Sequence, residues 1–79
     1  MAVYTYDEEA DALYVLLAPE AEIAISRTVE LGERLHVDVD DHGHPVGVEI
    51  LYPSRGPVDL GPIKDRFGLK VRLPFEFAA

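Results

Sequence analysis

The 79-residue chain has no cysteine, no tryptophan and a single methionine. Without cysteine there is no disulfide to staple the fold, no thiolate zinc site and no thiol nucleophile. Positive charge is scarce too: seven Lys and Arg stand against fifteen Asp and Glu, giving a net charge of −8 and a pI near 4.6. Such a surface repels phosphate backbones, so binding to DNA or RNA by this chain alone is disfavoured, and a basic partner is favoured. No apolar run approaches the roughly twenty residues of a membrane-spanning helix. The N-terminal Met1-Ala2-Val3-Tyr4-Thr5-Tyr6-Asp7 lacks the basic and apolar regions of an export signal, so a cytoplasmic location is expected. There is no glycine-rich phosphate loop and no nucleophile elbow. Ser26 and Ser54 are the only serines, and neither stands in a catalytic context.

What remains is a globular profile, 48% hydrophobic and 28% charged, of a length that suits one domain over residues 1–79. A chain this small, with nothing to staple it, sits close to the balance between apolar burial and ordering entropy. Pairing with a second copy is a common way to gain stability, so a homodimer is expected.

Val3–Tyr6 and Ala12–Leu17 are β-prone runs around the polar turn Asp7-Glu8-Glu9-Ala10-Asp11, and together they read as a hairpin. Asp7 is placed to cap that turn; Asp7 and Asp11, four apart, would share a face if it were helical. From Glu22 to Leu31 the chain alternates, with Ile23, Ile25, Arg27, Val29 and Leu31 on one face of a strand. Leu35–Asp40 and Val46–Tyr52 alternate as well, around the turn Asp41-His42-Gly43-His44. A loop of two or four residues sets Val39 opposite Val46, Val37 opposite Val48, Leu35 opposite Ile50 and His36 opposite Glu49. A three-residue loop would shift the register by one and set Asp38 opposite Val46 or Val48, on mismatched faces. The two- or four-residue loop is therefore expected, with a bulge at Gly43 able to modify the register locally. After Tyr52 a Pro/Gly-rich loop leads to a short helix at Pro62–Phe67, with Gly68 at its end. Leu69, Val71, Leu73, Phe75 and Phe77 then recur at every second position, and Pro74 marks an edge strand or extended tail. This stripe is the candidate dimer interface; the competing expectation is that it folds back over its own sheet.

Two motifs carry a family resemblance: Tyr6-Asp7-Glu8-Glu9-Ala10-Asp11-Ala12-Leu13-Tyr14-Val15, and Val37-Asp38-Val39-Asp40-Asp41-His42-Gly43-His44-Pro45-Val46-Gly47-Val48-Glu49-Ile50-Leu51. They resemble the motifs of a small bacterial family known only as domain of unknown function twenty-two eighty-three, over roughly residues 3–52. The resemblance implies a small α+β sheet domain and no established activity, with a hint of an antitoxin-type role beside small toxin-like partners. It brings no functional residues with it.

The residues that could carry chemistry are His36, Asp38, Asp40 and Glu49. Asp38, Asp40 and Gly43 evoke the start of a calcium loop, with Glu49 at the twelfth place, but that loop would have to unravel the best hairpin in the chain. The ordinary reading is a solvated strand face and an Asp/Gly turn. His36 beside Glu49 could serve acid–base work; as a plain cross-strand pair it is worth a few tenths of a kcal/mol. His42 and His44, near Asp41, could bind a divalent ion weakly. Tyr4, Tyr6 and Tyr14 have sheet spacing and are read as packing residues.

The sequence therefore predicts an α+β fold: a mostly antiparallel four-stranded β-meander over 3–52, then a loop, one short helix and an apolar C-terminal edge segment over 53–79. The function class it favours is a protein-interaction module, homodimeric or the acidic, antitoxin-like partner of a small basic protein, with no cofactor and no catalytic residue assigned. The alternative is a small enzyme or metal-binding domain using His36, Glu49, Asp38 and Asp40.

Overall fold

The computed structural model describes residues 3–17 and 24–73. The chain forms strands β1 (Val3–Asp7), β2 (Ala12–Leu16), β3 (Arg27–Gly32), β4 (Leu35–Val39) and β5 (Pro45–Leu51), then a 3₁₀ turn (Pro53–Arg55) and helix α1 (Gly61–Phe67). All pairings are antiparallel, in the order β1-β2-β5-β4-β3. The α+β, antiparallel expectation is met, but the sheet has five strands where four were expected. The hairpin expected at the N-terminus forms: β1, though short and exposed, pairs along its whole length with β2, so both count as strands of the one sheet. Nor is the sheet a simple meander, because the β1–β2 hairpin docks on β5 and makes it the central strand. Pairing explains the choice: Leu13 and Val15 of β2 lie opposite Ile50 and Val48 of β5, whose other flank meets Leu35 and Val37 of β4. All of these except Leu35 are at most 1% exposed, and Leu35 is 3% exposed, so each flank of β5 buries an apolar row.

The β4–β5 register matches the expectation at Leu35–Ile50, His36–Glu49 and Val37–Val48 and departs from it at the turn. Val39 faces Pro45 where Val46 was expected. The Asp40 N–H donates to the His44 carbonyl at 3.0 Å, enclosing a three-residue loop with Gly43 at φ 79°. That loop would put the strand faces out of step by one residue. The shift between Asp38 and Val39 absorbs the difference as a bulge, and Val46 is still buried.

The strand expected over 22–31 is shorter where it can be described. Residues 24–26 precede β3 without strand structure, and Ile25 is 55% exposed. The cause is the partner: β4 ends at Val39, opposite Arg27, and beyond that point the Ser26 N–H donates to the Val39 carbonyl at 2.8 Å. Residues 22 and 23 lie outside the described residues.

Helix α1 forms where expected, with Pro62 in its first turn and Gly68 left-handed at φ 66° closing onto the Lys64 carbonyl. Its Ile63 is fully buried against one face of the sheet, and Val58, Leu60, Phe67, Leu69, Val71 and Leu73 pack around the same core. Residues 69–73 carry no strand pairing, so of the edge strand or extended tail expected there the edge strand does not form among the described residues. They lie over the core, and the Tyr4 hydroxyl donates to the Arg72 carbonyl. Phe75 and Phe77 lie outside the described residues.

Candidate functional site

Helix and C-terminal segment cover one face of the sheet. On the opposite face, among the described residues, no second layer is stacked. Strand periodicity brings to this open face Thr5 and Asp7 of β1, Tyr14 of β2, Glu49 of β5, His36 and Asp38 of β4, and Thr28 and Glu30 of β3. Two rows cross it. One runs Tyr14–Glu49–His36–Glu30 and the other Gly47–Asp38–Thr28.

Asp38 is the hub of the second row. One of its carboxylate oxygens accepts from the Tyr14 hydroxyl at 2.7 Å and the other from the Thr28 hydroxyl at 2.5 Å. Tyr14 reaches Asp38 by lying across Gly47, where a Cβ would stand 1.8 Å from the Tyr14 oxygen. The absence of a side chain at Gly47 thus makes the network possible. Partial burial, then the Asp38 hydrogen bond and the Asp38 and Glu49 charges, raise the Tyr14 pKa well above its ordinary value of about 10. The phenol stays a neutral donor and is unsuited to act as a base. In the first row, His36 Nδ1 stands 3.3 Å from a Glu49 oxygen, as the register predicts.

The four polar residues singled out in the sequence do not converge. His36 pairs with Glu49, and Asp38 with Tyr14 and Thr28. Asp40 turns into its own loop, where one oxygen accepts from the His42 and His44 N–H groups, each at 2.9 Å. Those two bonds oppose the desolvation of the Asp40 carboxyl and hold its pKa below the usual range. A calcium loop from Asp38 to Glu49 would need all these partners released. His42 and His44 are exposed at the turn, their rings 6.1 Å apart, and each lies near a different aspartate. Among the described residues no group of three or more His, Asp or Glu is arranged to hold a metal ion.

Asp7 caps its turn, accepting the Glu9 and Ala10 N–H groups at 3.1 and 3.2 Å. Asp11 has a different task. Left-handed at φ 51°, it accepts from Tyr6 at 2.9 Å and from both the hydroxyl and the N–H of Ser54, which lowers its pKa chiefly through the Ser54 hydroxyl. Arg34 spreads its guanidinium over the carbonyls of Leu51, Tyr52, Gly56 and Pro57 and so fixes the loop after β5. Sequence reasoning missed Thr28, Arg34, Gly47 and Ser54 as partners. Thr28 was within reach, because the alternation of β3 places it on the face of Asp38 once β3 and β4 are paired.

Gly47→Ala is expected to push the Tyr14 ring aside, break its bond to Asp38 and cost about 1–2 kcal/mol, despite the better strand propensity of alanine. Tyr14→Phe, which removes the hydroxyl and leaves the ring in place, should cost no more than about 1 kcal/mol. Urea melts rank the two, and an equal or smaller loss for Gly47→Ala would contradict the close approach as the reason for glycine there.

Charge is divided along the chain. Residues 1–52 hold twelve Asp and Glu against two arginines, Arg27 and Arg34, whereas residues 53–73 hold five Lys and Arg against two aspartates. None of the strand residues on the open face is Lys or Arg. The acidic balance noted in the sequence thus belongs to the sheet-forming part of the chain, while the part that carries the helix is basic.

A family model described as protein of unknown function (DUF2283) matches residues 4–54, which holds the whole sheet apart from Val3. No curated protein and no solved structure matches the chain. No helix among the described residues is long and apolar enough to cross a membrane.

Proposed function

The chain belongs to the DUF2283 family of proteins of unknown function, and from that premise we propose that it is a protein-interaction module whose open sheet face receives a basic partner. The observation that carries the reading is the composition of that face: Asp7, Glu30, Asp38 and Glu49 stand on it with no strand-borne Lys or Arg among them. Complementary charge steers encounter and selects partners. Glu30 and Glu49 flank His36 across the strands, a spacing that suits guanidinium groups, and the Tyr14 ring offers a π-face to the same cations. The acidic, antitoxin-like partner of a small basic protein is one form this role would take. Self-association is the other form suggested by the sequence, through Leu69, Val71, Leu73, Phe75 and Phe77. The half-buried state of the first three on their own core favours the open face as the contact instead.

An arginine-rich helical peptide titrated into ¹⁵N-labelled protein at low salt should shift the amides of Thr28, Glu30, His36, Asp38 and Glu49. Glu30→Gln with Glu49→Gln should weaken binding several-fold, and raised salt should weaken it further. Shifts confined to the Asp40–His44 turn, or an unchanged affinity in the double variant, would sink the proposal.

A further inference from the structure

The helix side carries a feature that the acidic face does not account for. A recess of about 220 Å³ is lined by Leu60, Gly61, Lys64, Leu69, Lys70 and Val71. Leu60, Leu69 and Val71 are half-buried there, whereas Lys64 and Lys70 are exposed. Neither lysine pairs with a carboxylate among the described residues. Asp59, just before the helix, has its carboxylate turned to the Gly61 N–H at 2.9 Å. Lysine stems lie along apolar surface while their ammonium heads stay in water. The recess therefore joins an apolar floor to two free positive charges at its mouth, within the basic stretch of a protein whose other surface repels anions.

We propose that this recess binds a small amphipathic anion, with a short apolar chain on Leu60, Leu69 and Val71 and a carboxylate between Lys64 and Lys70. At about 220 Å³ the recess is below the roughly 300–1,000 Å³ of drug-sized sites, which suits a small ligand such as a medium-chain carboxylate. The site is on the opposite side of the sheet from the acidic face and does not depend on it.

Octanoate is the probe. Titrated into the full ¹⁵N-labelled chain, it should give saturable shifts at Leu60, Leu69 and Val71. Octanol, with the chain but no charge, should bind at least about fivefold more weakly, and so should octanoate with the Lys64→Gln, Lys70→Gln double variant. Both substitutions are at exposed positions, and the unchanged remainder of the spectrum verifies the fold. Equal binding of octanol and octanoate would reduce the site to a nonspecific apolar patch and overturn the proposal. So would octanoate binding that appears only in a full-length Phe75→Ser, Phe77→Ser variant, which would give the recess to the chain's own C-terminal residues. Recess shifts that depend on protein concentration without any ligand would give it to a second copy and overturn the proposal as well.

Discussion

Ile50→Ala is expected to be the most damaging single substitution, costing about 2–5 kcal/mol in urea unfolding. Ile50 is fully buried on the central strand, one residue before its C-terminal end, between Leu13 of β2 and Leu35 of β4. Neither flank can collapse into the space, because both neighbours are fixed by their own ladders, so most of the lost volume remains as cavity. Small domains have only about 5–15 kcal/mol of stability in all, and this chain is at the small end, so a population of unfolded protein should be measurable without denaturant. Val48→Ala, two residues earlier on the same face, removes less and should cost about 1–3 kcal/mol. His36→Ala should cost well under that, because its pair with Glu49 is partly solvated. A loss at His36 equal to that at Ile50 would mean that the polar face, and not the core, holds the strands together.

Ending the chain at Gly68 is the second large change. It removes Leu69, Val71 and Leu73 from the core they half cover, and with them the Arg72 carbonyl that Tyr4 bonds. Full burial of a large apolar side chain is worth about 1.5–3 kcal/mol, so three half-buried ones contribute on the order of 2–4 kcal/mol. The truncated chain should melt at lower urea and show weaker near-ultraviolet signals from its tyrosines. Sedimentation of both forms separates the two uses of the stripe. A monomer that only loses stability on truncation assigns the stripe to its own core, whereas a full-length dimer that falls to monomer assigns it to a partner copy.

The limits of sequence reading are clearest at the β4–β5 turn. Alternating Leu35, Val37 and Val39 against Val48 and Ile50 locates the hairpin and its main register, because a slip by one residue would turn every apolar side chain to water. It does not locate the bulge. Alternation ties loop length to strand register, whereas in the structure the three-residue loop between Asp40 and His44 and the shift beside Val39 offset each other. The site is legible to a similar depth: His36 opposite Glu49 comes from the register, but the role of Asp38 does not. That role depends on Tyr14 and Thr28, which approach from strands on opposite sides of β4.

What the sequence by itself determined are the local and periodic features. These are the strand faces, the turn at Gly43, the short helix between Pro62 and Gly68, the acidic balance and the family motifs, each encoded within a few residues. Only the tertiary structure decided that β2 docks on β5, that Leu69, Val71 and Leu73 cover their own core, and that Asp7, Glu30, Asp38 and Glu49 share one open face while Lys64 and Lys70 line a recess on the other side. Those outcomes depend on contacts between segments far apart in the chain. They are settled by which apolar rows can be buried together, a competition that no single segment reveals on its own.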